Sequence, residues 1–148
     1  MEVVLEFTVP FLPPSSNLIY EPRFLFIHGK KRFAGMRLSA DAKKFQRRFS
    51  SEVVPTQLPK LIGLDPTKLQ TIYMVFHMPG ILNKTFGKKG GAKTRYKRVD
   101  LSNRLKLIED CLRDAMNIDD SMTFDISLSK RTDPPDRVDL LVIQEDDE

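Results

Sequence analysis

At 148 residues, 41% of them hydrophobic and 30% charged, the chain has the size and apolar content for one hydrophobic core, held without disulfides or a structural metal. Its formal charge of +4 conceals an asymmetry: residues 1–99 carry 18 Lys/Arg against 6 Asp/Glu, and residues 100–148 carry 6 against 14. The basic part points to a polyanionic partner, the acidic part excludes mere coating of one, and the lone Cys111 excludes an internal disulfide.

Val3, Leu5, Phe7 and Val9 alternate with Glu2, Val4, Glu6 and Thr8, the period of a half-buried strand. Glu2 and Glu6 also break any signal-peptide pattern, and no apolar run nears the roughly eighteen residues of a membrane span, so a soluble, cytoplasmic protein without a membrane partner is expected. Pro10, Pro13 and Pro14 end the strand, and Ser15-Ser16-Asn17 reads as a turn. Phe24–Ile27 and Arg32-Phe33 about Gly29 suggest a hairpin. Ser39 is placed to cap a helix through about Val54, with Ala42, Phe45, Phe49 and Val53 on one face and Lys43, Lys44, Arg47 and Arg48 on the other. Residues 55–68, with three prolines and a glycine, read as a connection.

Leu69–Met78 alternates as a strand whose apolar face is Ile72, Met74, Phe76 and Met78. His77 points the other way and, like His28, lacks a second histidine at ligand spacing, so both are expected to be structural. A loop at about 80–99 then carries Lys84, Lys88, Lys89, Lys93, Arg95, Lys97 and Arg98, with no acid between Asp65 and Asp100. Gly87, Gly90 and Gly91 make it flexible. Its spacing is not that of a phosphate-cradling GxxxxGK[ST] loop, yet a loop of about twenty residues in a compact domain is usually functional or mobile.

Arg98–Ser121 organises the rest. On a 3.6-residue period Leu101, Leu105, Ile108, Leu112 and Ala115 form an apolar stripe, and Asn103, Lys106, Asp110 and Arg113 fall opposite. Asp100 precedes this helix and Asp119-Asp120 follow it. One reading makes Asp100 a helix cap and Asp119-Asp120 a turn. The other has carboxylates from both ends converging on a divalent ion, since Mg²⁺ takes hard oxygen ligands and assists phosphodiester cleavage, with Lys106 binding phosphate. Met122, Phe124, Ile126 and Leu128 then alternate as a half-buried strand, Asp133-Pro134-Pro135 turns, and Val138–Ile143 is the last strand. Cys111, at the edge of the apolar stripe, reads as a packed side chain. The order predicts one α+β domain over 1–148, a mixed sheet with two helices on one face, and a solvated acidic tail at 145–148.

These residues resemble the RusA family of Holliday-junction resolvases, whose motif D-x-D-N-x-x-K-x-x-x-D is followed by a helix and D-D. The match is Asp100-Leu101-Ser102-Asn103, Lys106, Asp110 and Asp119-Asp120. Pro13–Asn17 with Tyr20, Leu38–Asp41 and His77-Met78-Pro79 also look like that family, so the resemblance covers nearly the whole chain. It implies a small homodimeric endonuclease of phage or bacterial origin that uses Mg²⁺, with Mn²⁺ as a substitute, to cut four-way DNA junctions by paired nicks in recombination and repair. It implies that Asp100 and Asp120, with Asp119 a further candidate, hold the metal, and that Lys106 is also needed. Ser102 stands where the family has its second aspartate, and a hydroxyl is a much poorer Mg²⁺ ligand than a carboxylate. A second reading follows: a branched-DNA-binding protein of the same fold whose cleavage is weak or lost.

Overall fold

The alternation at the start of the chain becomes β1 (Val3–Val9), with Leu5, Phe7 and Val9 buried. The computed structural model describes residues 3–15 and 18–144; Ser16, Asn17 and the acidic tail at 145–148 lie outside the described residues, as do the side chains at 3, 4, 58, 62 and 120. After β1 come the hairpin strands β2 (Tyr20–Ile27) and β3 (Lys30–Leu38), helices α1 (Ala40–Arg48) and α2 (Val54–Ile62), strand β4 (Gln70–His77), helix α3 (Ser102–Met116), and strands β5 (Thr123–Arg131) and β6 (Arg137–Gln144).

The four-stranded sheet has the order β1-β6-β4-β5, with β4 and β5 parallel and the other pairs antiparallel. The chain is thus a single α+β domain with a mixed sheet, as expected. Side chains in register form rows across one face: Leu5–Val142–Ile72–Ile126 and Phe7–Leu140–Met74–Leu128. The first three of each row are buried beneath the helices, each such side chain stabilising the fold by about 1.5–3 kcal/mol. The fourth is not. Ile126 and Leu128 are exposed, and Phe124 is 68% exposed. The expectation of a half-buried strand is therefore corrected at β5, which forms the edge of the sheet, where its own chain supplies no cover.

Ser39 caps α1 as expected, its hydroxyl oxygen accepting the Ala42 N–H at 3.1 Å. The helix does not end near Val54, however. A π-helical turn (Phe49–Val53) leads into α2, so the expected connection at 55–68 is helical to Ile62. Pro55 falls in the first turn of α2, where an N–H has no obligatory helical partner, and the wide turn before it relieves the clash a proline makes with the preceding turn. Only Pro59 lies inside α2.

The hairpin is longer than its apolar cores suggested. His28 and Gly29, at φ 51° and 74°, make its tip. It forms a sheet of its own, and Phe26 and Phe33 are 75% and 63% exposed.

Because β4 and β5 run parallel, α3 has to return the chain from the end of β4 to the start of β5. It therefore lies antiparallel to both strands. Its N-terminus sits at the His77 end of the sheet, where Lys130 Nζ donates to Val99 O at 2.8 Å. Its C-terminus, closed by Asn117 in the left-handed conformation, sits at the opposite end, where Gln70 Nε2 donates to Thr123 Oγ1 at 3.0 Å.

Candidate active site

At the N-terminus of α3, Asp100 Oδ1 accepts the Ser102 N–H at 2.9 Å, and Leu101 opens the helix by accepting the Leu105 N–H at 2.7 Å. The N-cap of α3 is Leu101, without a side-chain cap bond, so the expectation of Asp100 as the cap is corrected: Asp100 lies one residue earlier and holds a tight turn that leads into the helix. The carboxyl is held below the usual aspartate range, first by the Ser102 backbone N–H, then by the Ser102 hydroxyl, with a smaller contribution from the Lys130 charge. It is solvent-exposed all the same, an ionised carboxylate in a fixed orientation. Holding this turn and ligand duty are compatible in one residue.

Lys106, one turn further along, holds its ammonium 5.6 Å from the Tyr20 ring centroid. Asn103 is half-buried, and Asp110 lies 3.6 Å from Arg113 on the same helix. Two residues that the motif did not single out shape this end. Arg104 Nε donates to Pro14 O at 3.0 Å and its Nη1 lies 3.7 Å from Met78 Sδ, tying the proline segment to α3 and the end of β4. Lys130, tethered to Val99 O, comes from β5. Its part was invisible in the sequence, because only the parallel pairing of β4 and β5 carries it to Asp100.

The cationic loop adjoins this end. Leu82 bridges Tyr96, Lys97 N–H donates to Ile81 O at 2.7 Å, and Asn83 N–H donates to Arg95 O at 2.9 Å, so its two limbs are closed at the base. Between them the chain makes successive turns, and a Cβ on Gly91 would stand 2.0 Å from Thr85 O. Glycine there permits close backbone approach. Lys84, Lys88, Lys89, Lys93, Arg95, Lys97 and Arg98 are all exposed on the loop, and cations with few acids among them attract phosphate.

The acid pair occupies the other pole. Asp119 Oδ1 accepts the Ser121 N–H at 2.9 Å and Asp119 O accepts the Met122 N–H at 3.0 Å. Asp120 opens the tight helical turn Asp120–Met122, its side chain outside the described ones. The structure does not bring Asp119-Asp120 to Asp100. The fifteen residues of α3 span about 22 Å, and from Thr123 to Lys130 β5 rises about 23 Å. A Mg²⁺ ion holds its oxygens at about 2.1 Å, so one copy of the chain cannot place both poles on one ion. Among the described residues, no three His, Cys, Asp or Glu side chains come together to hold a metal.

His77 is structural, as expected. Its Nε2 lies 2.8 Å from Asp139 Oδ2 and its Nδ1 lies 3.0 Å from Asp133 Oδ2, with Arg137 pairing to both aspartates. Cys111 is buried and its thiol is pushed up to about 12, first by burial and then by the charges of Asp114 and Asp110, which excludes it as a nucleophile at neutral pH.

No curated protein sequence matches the chain closely enough to name a relative. A family profile does match: that of the endodeoxyribonuclease RusA, over residues 21–142, which takes in the hairpin, the cationic loop, Asp100, Lys106 and Asp119-Asp120. With most of its length matched, and with the mixed sheet and crossover helix described above, the chain belongs to the RusA endodeoxyribonuclease family.

Proposed function

We propose that this nuclease is structure-selective and resolves four-way (Holliday) DNA junctions by paired nicking in recombination and repair, as a cytoplasmic homodimer dependent on Mg²⁺ or Mn²⁺. The observation that carries this reading is the juxtaposition of the closed cationic loop with an ionised, exposed Asp100 at the start of α3. The loop binds phosphates of the junction arms, which brings the backbone to the carboxylate pole. Lys106, exposed on the same helix, then offers a cation to the phosphate under attack. The family resemblance assigns the metal to Asp100 with Asp120 and Asp119, poles that a single copy of the chain does not join.

A cleavage assay on mobile four-way junctions and on matched duplex, with Mg²⁺, Mn²⁺ or chelator, tests the proposal. Metal-dependent nicking of the junction in preference to duplex supports it. One observation favours a second reading: Ser102 gives its hydroxyl to Asp100 at the position of the family's second aspartate. Tight junction binding with no nicking under any metal would make the chain a binding protein of the same fold.

A further inference from the structure

The hairpin of β2 and β3 is not used by the site described above, though it is rooted there. Tyr20, the first residue of β2, holds its ring 5.6 Å from the Lys106 ammonium, and the Ser39 N–H donates to Ile19 O at 2.8 Å to close the base. From Tyr20 to Ile27 the strand can carry the tip up to about 24 Å away. Every residue from 22 to 34 is exposed, so neither face of the ribbon is covered there by the described chain. A two-stranded ribbon has little stability of its own, and large apolar side chains kept together on a surface mark a place where something binds.

We propose that this hairpin binds unpaired nucleobases of the DNA substrate, stacking them on its aromatic face while its cations hold the flanking phosphates. The proposal rests on the DNA-cleaving reading above for the identity of the partner, and deepens it by naming what part of the DNA the hairpin grips.

The strand register sets apolar residues across from cations: Leu25 opposes Arg32, Phe26 opposes Lys31 and Ile27 opposes Lys30. A single nucleic-acid strand has the same division, with flat bases along one side and phosphates along the other. Phe24, Phe26 and Phe33 share one face, because 24 and 26 are two residues apart and Phe33 pairs with Phe24. The Phe24 and Phe33 rings meet edge to face at 6.1 Å and 67°, and Lys31 Nζ sits 4.2 Å from the Phe24 centroid. Phe26, at 75% exposure, presents its ring to solvent. Such rings stack on any base that is free of its partner, since every base has a π-face. A base inside an intact duplex is out of their reach.

The charge argues against other apolar partners. Residues 20–38 carry five Lys/Arg against one acid, Glu21, which pairs with Arg37 at 3.0 Å. A second copy of the hairpin would set like charge on like, and an apolar protein surface would leave the cations unanswered. A polyanion that also offers planar apolar groups answers both needs. The root of the hairpin beside Lys106 points to the nuclease substrate as that polyanion, rather than to a lipid surface.

Binding is compared on two DNA probes of equal length, a duplex with a central bubble of unpaired thymines and the same duplex fully paired, with chelator present so that neither is cut. The wild type should prefer the bubble. Phe26→Ala/Phe33→Ala should lose about tenfold or more of its affinity for the bubble and less than about twofold for the duplex. Phe26→Trp should keep the preference and Phe26→Leu should lose it, since leucine is apolar but has no π-face. Both positions are exposed, so the circular dichroism spectrum and melting temperature should match the wild type. A second measurement needs no variant: 5-iodouracil in the bubble, irradiated on the wild-type protein, should cross-link to the peptide that holds residues 24–27.

Equal affinity of the wild type for bubble and duplex, a Phe26→Leu protein that binds the bubble as the wild type does, or cross-links confined to the cationic loop would overturn the proposal. So would a double variant that keeps its bubble affinity but sediments as a smaller species, which assigns the face to a second copy, or one that loses only its binding to phosphatidylserine vesicles, which assigns it to a membrane. A wild type that prefers the bubble and cross-links through the hairpin, yet cuts no four-way junction under any metal, sinks the resolvase reading and leaves the hairpin assignment standing. Junction cleavage by a wild type with no bubble preference does the reverse.

Discussion

Lys130 Nζ donates to Val99 O across 2.8 Å and so joins the far end of β5 to the residue that precedes Asp100. The bond fixes where the chain leaves the cationic loop, and the charge helps to keep the Asp100 carboxyl ionised. Lys130→Met should therefore act on the site far more than on the fold. With Lys130 exposed, the loss of stability should stay under about 1 kcal/mol. The pKa of Asp100 should move up toward its ordinary value, and the acid limb of the nicking profile should move with it. Carboxyl chemical shifts followed by NMR across pH check the first shift, and a pH–rate profile the second.

Asp100→Asn separates the turn that leads into α3 from chemistry. Asparagine accepts the Ser102 N–H nearly as well as aspartate, so thermal stability at neutral pH should fall only slightly. Nicking should vanish, and junction binding should hold or tighten as a negative charge facing phosphate is removed. Because the folded carboxyl lies below its ordinary value of 3.8, its ionisation stabilises the fold above about pH 4, and that contribution is lost as pH falls through the folded value. The difference in melting temperature between wild type and Asp100→Asn should thus close on acidification. A gap that widens below pH 4 would contradict the assigned hydrogen bonds.

Neutralising Lys88, Lys89 and Lys93 together tests the loop. Junction affinity should weaken steeply with salt in the wild type, with a log–log slope of about −0.9 for each phosphate neutralised. The triple alanine variant should bind more weakly and show a slope flatter by up to about three such increments. Its melting temperature should not change, since all three side chains are exposed. Fluorescence anisotropy across a salt series reads both quantities.

Ser102→Asp replaces a hydroxyl that donates to Asp100 with a second carboxylate one turn before Lys106. Without metal, the like charge should raise the pKa of Asp100. If the natural protein is a weak nuclease, the added ligand should tighten Mg²⁺ binding and raise the single-turnover nicking rate. If another acid already completes the site, the rate should stay equal or fall, with the wild type fully active. A Mg²⁺ titration of both proteins distinguishes the outcomes.

Much of this protein was written in local pattern. The period of two in Val3–Val9 and in Ile72–Phe76 produced β1 and β4 with the expected faces inward, because alternation is a property of the strand alone. Ser39 capped α1 and the stripe from Leu105 to Leu112 packed α3 for the same reason: a cap and a helical face depend on residues three or four apart. The motif at Asp100, Ser102, Asn103 and Lys106 was likewise legible, since its spacing lies within two turns of one helix.

Tertiary structure decided what depends on neighbours. The alternation of Phe124, Ile126 and Leu128 is the same whether a helix covers the strand or nothing does; β1, the other edge strand, has Leu5, Phe7 and Val9 buried, and β5 is left without such cover. Pro55 reads as a helix breaker until a wide turn before it makes room. The distance between Asp100 and Asp119 was set by the direction of α3. Parallel pairing of β4 and β5 requires the helix to run the whole length of the sheet, and no count of residues between two aspartates reveals that they will stand at opposite ends.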